Sequence, residues 1–148
     1  MSTTNHALPP GLPAPSTEEP LSAPYWKAAR EGRLLVQKCG GCGGHQWGPE
    51  WICHRCHSFD LDWAEVKPRG RIYSWETPHH PVHPALNGHG PYTIVLVELP
   101  EADNIRMIGN LVGAPGAEPR IEAEVEAVFE PNDEASPPYT LVQWRLVG

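Results

Sequence analysis

The sequence predicts a mainly β protein: a short N-terminal helix, a small cysteine-clasped ribbon, then a five-stranded barrel. Three observations predict it. All four cysteines of the 148-residue chain fall within residues 39–56, as two Cys-x-x-Cys pairs. From residue 63 onward the apolar residues recur with a period of two, the period of a half-buried strand. Finally, 18 Pro and 14 Gly dilute a hydrophobic content of 40 %, which suits short elements joined by turns better than long helices. A chain of this length makes one modest domain or two very small ones.

In chain order, residues 1–21 form a Pro-rich arm without periodicity. Alone such an arm is extended or disordered; its functional reading is a segment that orders against a partner. It has neither the charged start nor the apolar core of a secretory signal. No stretch approaches the ~20 apolar residues that cross a membrane, so the expectation is a cytoplasmic protein. The second unit, residues 22–62, opens with "SAPYWKAAREG". Ser22 suits a helix cap, Pro24 a first turn and Gly32 a stop. "RLLVQKC" then reads as a strand delivering Cys39. The helix is too short to bury much alone, so Tyr25 and Trp26 must pack on something else.

The third unit, residues 63–148, reads as five strands: 63–77, 92–99, 105–113, 121–130 and 139–147. In the fourth, Ile121, Ala123, Val125, Ala127 and Phe129 are predicted to face the core. Glu122, Glu124, Glu126 and Glu130 face away from it. Gly70 and Gly109 are candidate bends or bulges. Five short, bent strands suggest a small closed barrel of the OB type, with an open sheet as the alternative.

The cysteines carry the chemistry. A pair separated by two residues brings both sulfurs to one ion from a tight turn. Two such turns, here Cys39/Cys42 and Cys53/Cys56 with ten residues between, supply the four thiolates of a structural zinc site. Gly40, Gly41, Gly43 and Gly44 let the first turn close and let amides reach the sulfurs. A catalytic zinc keeps one position for water, and four cysteines leave none. Iron in a rubredoxin-like site uses similar spacing, and the choice stays open at this point. His45, His54 and His57 read as surface residues of the ribbon. Trp47, Trp51 and Trp63 are expected to pack at the ribbon–barrel junction.

The formal charge of −7 is unevenly spread: residues 27–71 sum to +3 and residues 72–148 to −8. An acidic barrel disfavours a general nucleic-acid binder, which needs a positive field. A zinc ribbon beside a barrel keeps a single-stranded nucleic-acid module as the alternative reading. There is no nucleophile elbow, phosphate loop or hydrolase-like acid pair. An independent enzyme using His80 or His83 as general base would lack an oriented partner for either residue. The segment 77–92 is a long loop with His79, His80, His83 and His89 among four prolines. Loops of that length are functional or disordered.

The order "PYWKAAREGRLLVQKC", four-cysteine ribbon, "VKPRGRIYSWETPHH" and "PYTIVLVELPE" resembles a known family over roughly residues 22–130. That family comprises small acyl-CoA-associated proteins joining a rubredoxin-like zinc ribbon to a C-terminal OB-fold. The motifs W-x-A-x-x-E-G-R-L, G-x-I-Y-S and P-Y-x-I-x-L-V-E-L carry the likeness. It implies an accessory subunit of a thiolase-like or aldolase enzyme that cleaves carbon–carbon bonds of acyl-CoA thioesters, in a two-plus-two assembly. Catalytic residues would belong to the partner, while this chain docks and shapes the acyl-CoA path. In that setting His79, His80, His83 and His89 are candidates for a partner or channel loop. Arg30, Arg33, Lys38, Arg55, Arg69 and Arg71, with Lys67 beside them, are candidates for CoA phosphates. The acyl group and the partner's reaction type stay open.

Overall fold

A computed structural model describes residues 6–113 and 117–148. A single helix, α1 (Ala23–Arg30), is followed by β1 (Leu34–Cys39), β2 (His45–Gln46) and β3 (Leu61–Val66). These strands form an antiparallel sheet in the order β2-β1-β3. The next five, β4 (Arg69–Glu76), β5 (Ile94–Leu99), β6 (Ile105–Val112), β7 (Glu124–Asn132) and β8 (Tyr139–Leu146), close a barrel in the order β4-β5-β6-β8-β7. The chain is therefore mainly β, with one short helix, a ribbon and an OB-type barrel. No helix among the described residues is long and apolar enough to cross a membrane.

α1 begins at Ser22, whose side chain makes no cap bond; instead the Glu19 carbonyl accepts from the Ser22 and Ala23 amides. Pro24 occupies the first turn, and Gly32, at φ +72, lets the chain reverse into β1. The helix buries Tyr25, Ala28 and Ala29. Tyr25 meets the ring of Trp47 at 4.5 Å between centroids and that of Trp26 at 5.0 Å. Tyr25, which a short helix cannot bury alone, is thus covered by Trp47 of the ribbon, while Trp26 stays half-buried beside it. Trp63 also packs on the core, whereas Trp51 is 64 % exposed. The expectation of a junction role for Trp51 is corrected: it follows the β1–β2 hairpin and lies outside every strand.

The segment read as one strand, 63–77, is two. Residues 61–66 pair with β1 across the ribbon sheet, from Leu34↔Val66 to Cys39↔Leu61. Pro68 has no N–H to donate, so the ladder ends there, and the strand resumes at Arg69 in the barrel. On sheet membership the ribbon runs through Val66, and the 62/63 division falls inside β3.

The barrel interior holds Ile72, Val95, Val97, Leu99, Met107, Val125, Val142 and Trp144, all buried. The register shifts between Ile72 and Ser74, placing the bulge after Gly70 and not at it. Gly70 serves a close approach: a Cβ there would overlap the Glu98 carbonyl oxygen and the Val97 side chain. β6 and β8 run parallel over only Leu111↔Trp144 and Val112↔Arg145. Beside that short ladder the buried Gln143 side chain accepts from the Asn110 amide at 2.7 Å.

In β7 the alternation holds from Val125 on, but Ile121 is 60 % exposed. It lies in the preceding turn, where Glu122 takes φ +65. Glu130 has the outward parity predicted for it, yet it is buried because the N-terminal arm lies across it. Its carboxylate accepts from the Ala7 amide at 2.8 Å, and His6 bonds the Pro131 carbonyl at 2.9 Å. The part of the arm from residue 6 onward therefore has an intramolecular seat; residues 1–5 lie outside the described residues.

Candidate functional site

The two Cys-x-x-Cys turns come together at the end of the ribbon. β1 delivers Cys39, and the turn through Gly43, at φ +75, returns the chain so that the Cys39 amide bonds the Gly44 carbonyl at 2.9 Å. The second turn closes in the same way, with the His57 amide on the Cys53 carbonyl at 3.1 Å and His57 itself left-handed. Gly41 sits so close to the cluster that a Cβ would lie 3.5 Å from the Cys39 sulfur. The four sulfurs lie within 4.8 Å of one another. Cys39–Cys56 measures 3.6 Å and Cys42–Cys53 3.7 Å.

Those spacings fit zinc. A Zn–S bond of about 2.3 Å places tetrahedral sulfurs about 3.8 Å apart. Backbone amides already point at the sulfurs: Gly41 and Cys42 donate to Cys39 at 3.3 and 3.5 Å, and Arg55 to Cys53 at 3.4 Å. Amide donors favour thiolate over thiol. The Cys42 amide lowers the Cys39 pKa, and the Cys56 and Arg55 amides hold Cys53 at about 6. At Cys56 the Ser58 amide also favours the thiolate, but the neighbouring sulfur of Cys39 and burial push the thiol up to about 11. Four thiolates cannot share this volume without a cation, so the donor set is built for a metal. Cys39 and Cys53 are buried while Cys42 and Cys56 are exposed. With four protein ligands the centre would leave no open position, and the chemistry zinc would supply here is cross-linking.

A buried amide network holds the two turns. Gln46 donates to Gln37 Oε1 at 2.9 Å, its own oxygen accepts from the His54 amide at 2.8 Å, and Gln37 Oε1 also accepts from the Glu50 amide. Gln37 and Gln46 pair across β1 and β2, so the network follows from register. The Cys-x-x-Cys count does not point to these glutamines. The only sequence signal was for Gln37, which period two in "LLVQKC" places on the same strand face as Cys39; Gln46 had none.

His45 is not a free surface histidine. Its backbone amide and Nδ1 both bond Asp103 Oδ2, at 2.9 and 2.8 Å. Asp103 caps a short 3-10 turn, Pro100–Ala102, in the left-handed region at φ +58. The same turn meets Lys67, just after β3, through Glu101 at 3.2 Å. The His45 amide, then the His45 ring, hold the Asp103 carboxyl below its ordinary value. A depressed acid stabilises above its unfolded pKa, and that contribution is lost as pH falls through the lower folded value. The His45–Asp103 tie is therefore intact at neutral pH and released only in acid. Asp103→Ala, which also removes a side chain tolerant of the left-handed region, is expected to speed amide exchange at His45 and Gln46 severalfold at pH 7. Val95 and Val97 should be unaffected; unchanged exchange at His45 would show that the tie does not hold the ribbon.

The histidine loop is organised around the buried Leu86 in a 3-10 turn, Pro84–Leu86. His83 Nδ1 accepts from the Ala85 amide at 3.1 Å and so acts as its cap. His79 and His80 line a hollow of about 250 Å³ with Pro81, Leu86 and Tyr92, and His89 stands 6.4 Å from the Tyr92 ring. The four imidazoles do not form a metal cluster; among the described residues only the cysteines do.

The basic candidates are dispersed. Arg33 is held by Glu31 at 2.5 Å and Glu65 at 2.9 Å. Arg71 is held by Glu98 at 3.1 Å and Asn104 at 3.2 Å. Arg69 and Arg71 share a hollow of about 500 Å³ with Lys67, Glu101, Glu122 and Glu124. Arg55 packs against Gly44, and Lys38 lies exposed on β1. Arg30 belongs to a different, larger cavity.

Two family models match in tandem. The ChsH2 rubredoxin-like zinc ribbon domain covers residues 26–62, and the ChsH2 C-terminal OB-fold domain covers residues 63–130. A protein of Thermomonospora curvata described as a probable enoyl-CoA hydratase alpha subunit is 38 % identical over 121 residues. The match takes in 82 % of this chain but 36 % of that protein, so the chain spans about a third of its curated relative. The solved Ltp2-ChsH2(DUF35) aldolase contains a chain 34 % identical, with a TM-score of 0.71, matched over 91 % of this chain and 98 % of that one. A DUF35-family protein of Sulfolobus solfataricus, of unknown function, shares the fold at 14 % identity and a TM-score of 0.60. That match covers 87 % of each chain.

Proposed function

The chain belongs to the ChsH2 family of zinc-ribbon and OB-fold proteins, and from that membership we propose that it is an accessory subunit of a thiolase-fold acyl-CoA enzyme. One observation carries the reading. The chain matches, nearly end to end, a chain of the solved Ltp2-ChsH2(DUF35) aldolase. The relative described as an enoyl-CoA hydratase subunit adds the acyl-CoA context. In the proposed assembly a thiolase-like or lipid-transfer-protein-like chain supplies the nucleophile and base. All four thiols here face one another in a metal cluster and are not free for that role. This chain docks to the catalytic chain, keeps it folded and contributes to the acyl-CoA path, in a two-plus-two heterotetramer in the reducing cytoplasm.

Candidate contacts follow from exposure. The histidine loop around His79, His80, His83 and His89 is the partner or channel loop. Arg30 and Arg69, which make no ion pair among the described residues, are better placed for CoA phosphates than Arg33 or Arg71, which already hold carboxylates. The single-stranded nucleic-acid alternative finds less support, because Glu122 and Glu124 flank the basic hollow and the Tyr73 face is occupied by Arg106 at 3.6 Å.

The test is co-expression with the thiolase-fold protein that copurifies from the native host. A soluble, stoichiometric complex with carbon–carbon-cleaving activity on an acyl-CoA is expected, with loss of the partner's solubility or activity when this chain is omitted. A partner fully stable and active alone would sink the proposal.

A further inference from the structure

A sizeable cavity lies away from the metal centre, between the arm, α1 and the β7–β8 turn. It measures about 880 Å³, within the range of small-molecule sites, roughly 300–1,000 Å³. Its walls combine three kinds of surface. Trp26 and Tyr139 supply aromatic faces, Pro20, Pro24, Pro137 and Pro138 supply rigid apolar edges, and Lys27 and Arg30 supply positive charge. Lys27 and Arg30 stand one helical turn apart, so both head groups leave the same side of α1. Neither makes an ion pair among the described residues. Two carboxylates share the lining. Glu31 is engaged by Arg33, and Glu18 stands on the arm wall.

We propose that this cavity binds a nucleotide, with the base against Trp26 and Tyr139 and the phosphates on Lys27 and Arg30. Each feature has its chemical counterpart. A flat heteroaromatic base needs an aromatic or proline face to stack on. A phosphate needs cations that are not already neutralised. A ribose offers hydroxyl donors, for which the Glu18 carboxylate is an acceptor. Two sources present this chemistry: a free adenine nucleotide, or the adenosine 3′,5′-bisphosphate end of coenzyme A. The second rests on the proposed acyl-CoA role; the first does not. The cavity also explains the arm. Thr17, Glu18 and Pro20 form its outer wall, so an otherwise aperiodic segment, seated through Ala7 on Glu130, closes one side of a site.

The experiment is calorimetry on the full-length zinc-loaded chain with coenzyme A, adenosine 3′,5′-bisphosphate, ATP and pantetheine, repeated on the double variant Lys27→Glu/Arg30→Glu. Both side chains are exposed, so the variant should fold; retention of the far-ultraviolet spectrum checks that. Binding of coenzyme A and the bisphosphate but not pantetheine, weakened tenfold or more in the variant, is expected, because the phosphates would lose their charge-assisted hydrogen bonds. Equal binding of ATP would keep the nucleotide site and assign it to a free nucleotide. No binding by any phosphorylated ligand, or binding unchanged by the charge reversal, overturns the inference. Complex formation with the catalytic chain is followed on the same preparations by size exclusion. An intact complex without nucleotide binding refutes the cavity assignment alone.

Discussion

Metal removal unfolds the ribbon from Cys39 to Asp60 and leaves the barrel standing. The reason is how little apolar surface that segment buries. Between residues 40 and 60 the buried positions are Gly44, Gln46 and Cys53, none of them a large hydrophobe. β2 is two residues long, and the remaining order comes from the Gln37–Gln46 network and four sulfurs. A metal site in such a setting supplies folding free energy directly, on the order of 10–16 kcal/mol in zinc-finger peptides. The barrel has its own core of Ile72, Val95, Val97 and Trp144. It needs no metal. Treatment with a strong chelator, or Cys53→Ser, is therefore expected to abolish amide protection across residues 40–60 while Val95, Val97 and Met107 stay protected. Loss of about one zinc per chain should accompany it. Because thiolates must shed protons to bind, release should also be driven by lowering the pH. Tyr25 packs on Trp47 and would lose that neighbour, so the α1 surface should loosen next. Unchanged protection in metal-free protein would mean that the glutamine network alone holds the turns.

What was legible in the sequence followed from spacing and period. Four cysteines in two tight pairs announce their own convergence, because each turn needs only local geometry. The barrel strands announced themselves by alternation, and Pro24 and Gly32 bracketed the helix. What escaped were contacts set by tertiary placement. Nothing local in "GHQW" says that His45 will meet Asp103, 58 residues away in sequence. Trp51 and Trp63 look alike in composition, yet one is exposed and the other lies on a strand against the core. Glu130 obeyed its alternation and was still buried, because an aperiodic arm covered it. The 63–77 segment splits at Pro68, because a proline that cannot donate to a ladder marks a sheet change. The same holds for the basic candidates. Composition grouped them, and the fold then gave Arg33 and Arg71 carboxylate partners but, among the described residues, none to Arg30 and Arg69.

Trp144→Ala should destabilise the barrel by about 3–5 kcal/mol, the cost of removing a large aromatic side chain from a packed core. Trp144 is fully buried and touches both neighbouring strands through Leu111 and Ala127. Among the described residues its indole N–H has no hydrogen-bond partner. A buried donor left unsatisfied costs about 1–3 kcal/mol, so Trp144→Phe removes a penalty as well as volume and should cost much less than the alanine change. Gly109 makes the fit possible. A Cβ at that position would stand 2.8 Å from Trp144 Cδ1 and 2.9 Å from the Val142 carbonyl oxygen. Gly109→Ala must therefore displace both the ring and a backbone group of β8, an overpacking change of about 1–3 kcal/mol. The two sites are in contact and should not add. In the Trp144→Ala background the ring is gone while the Val142 carbonyl remains, so the Gly109→Ala penalty should shrink but not vanish. Urea unfolding of the four members of this cycle measures it. Full additivity would show that the backbone contact alone accounts for the glycine, and complete suppression that the ring alone does.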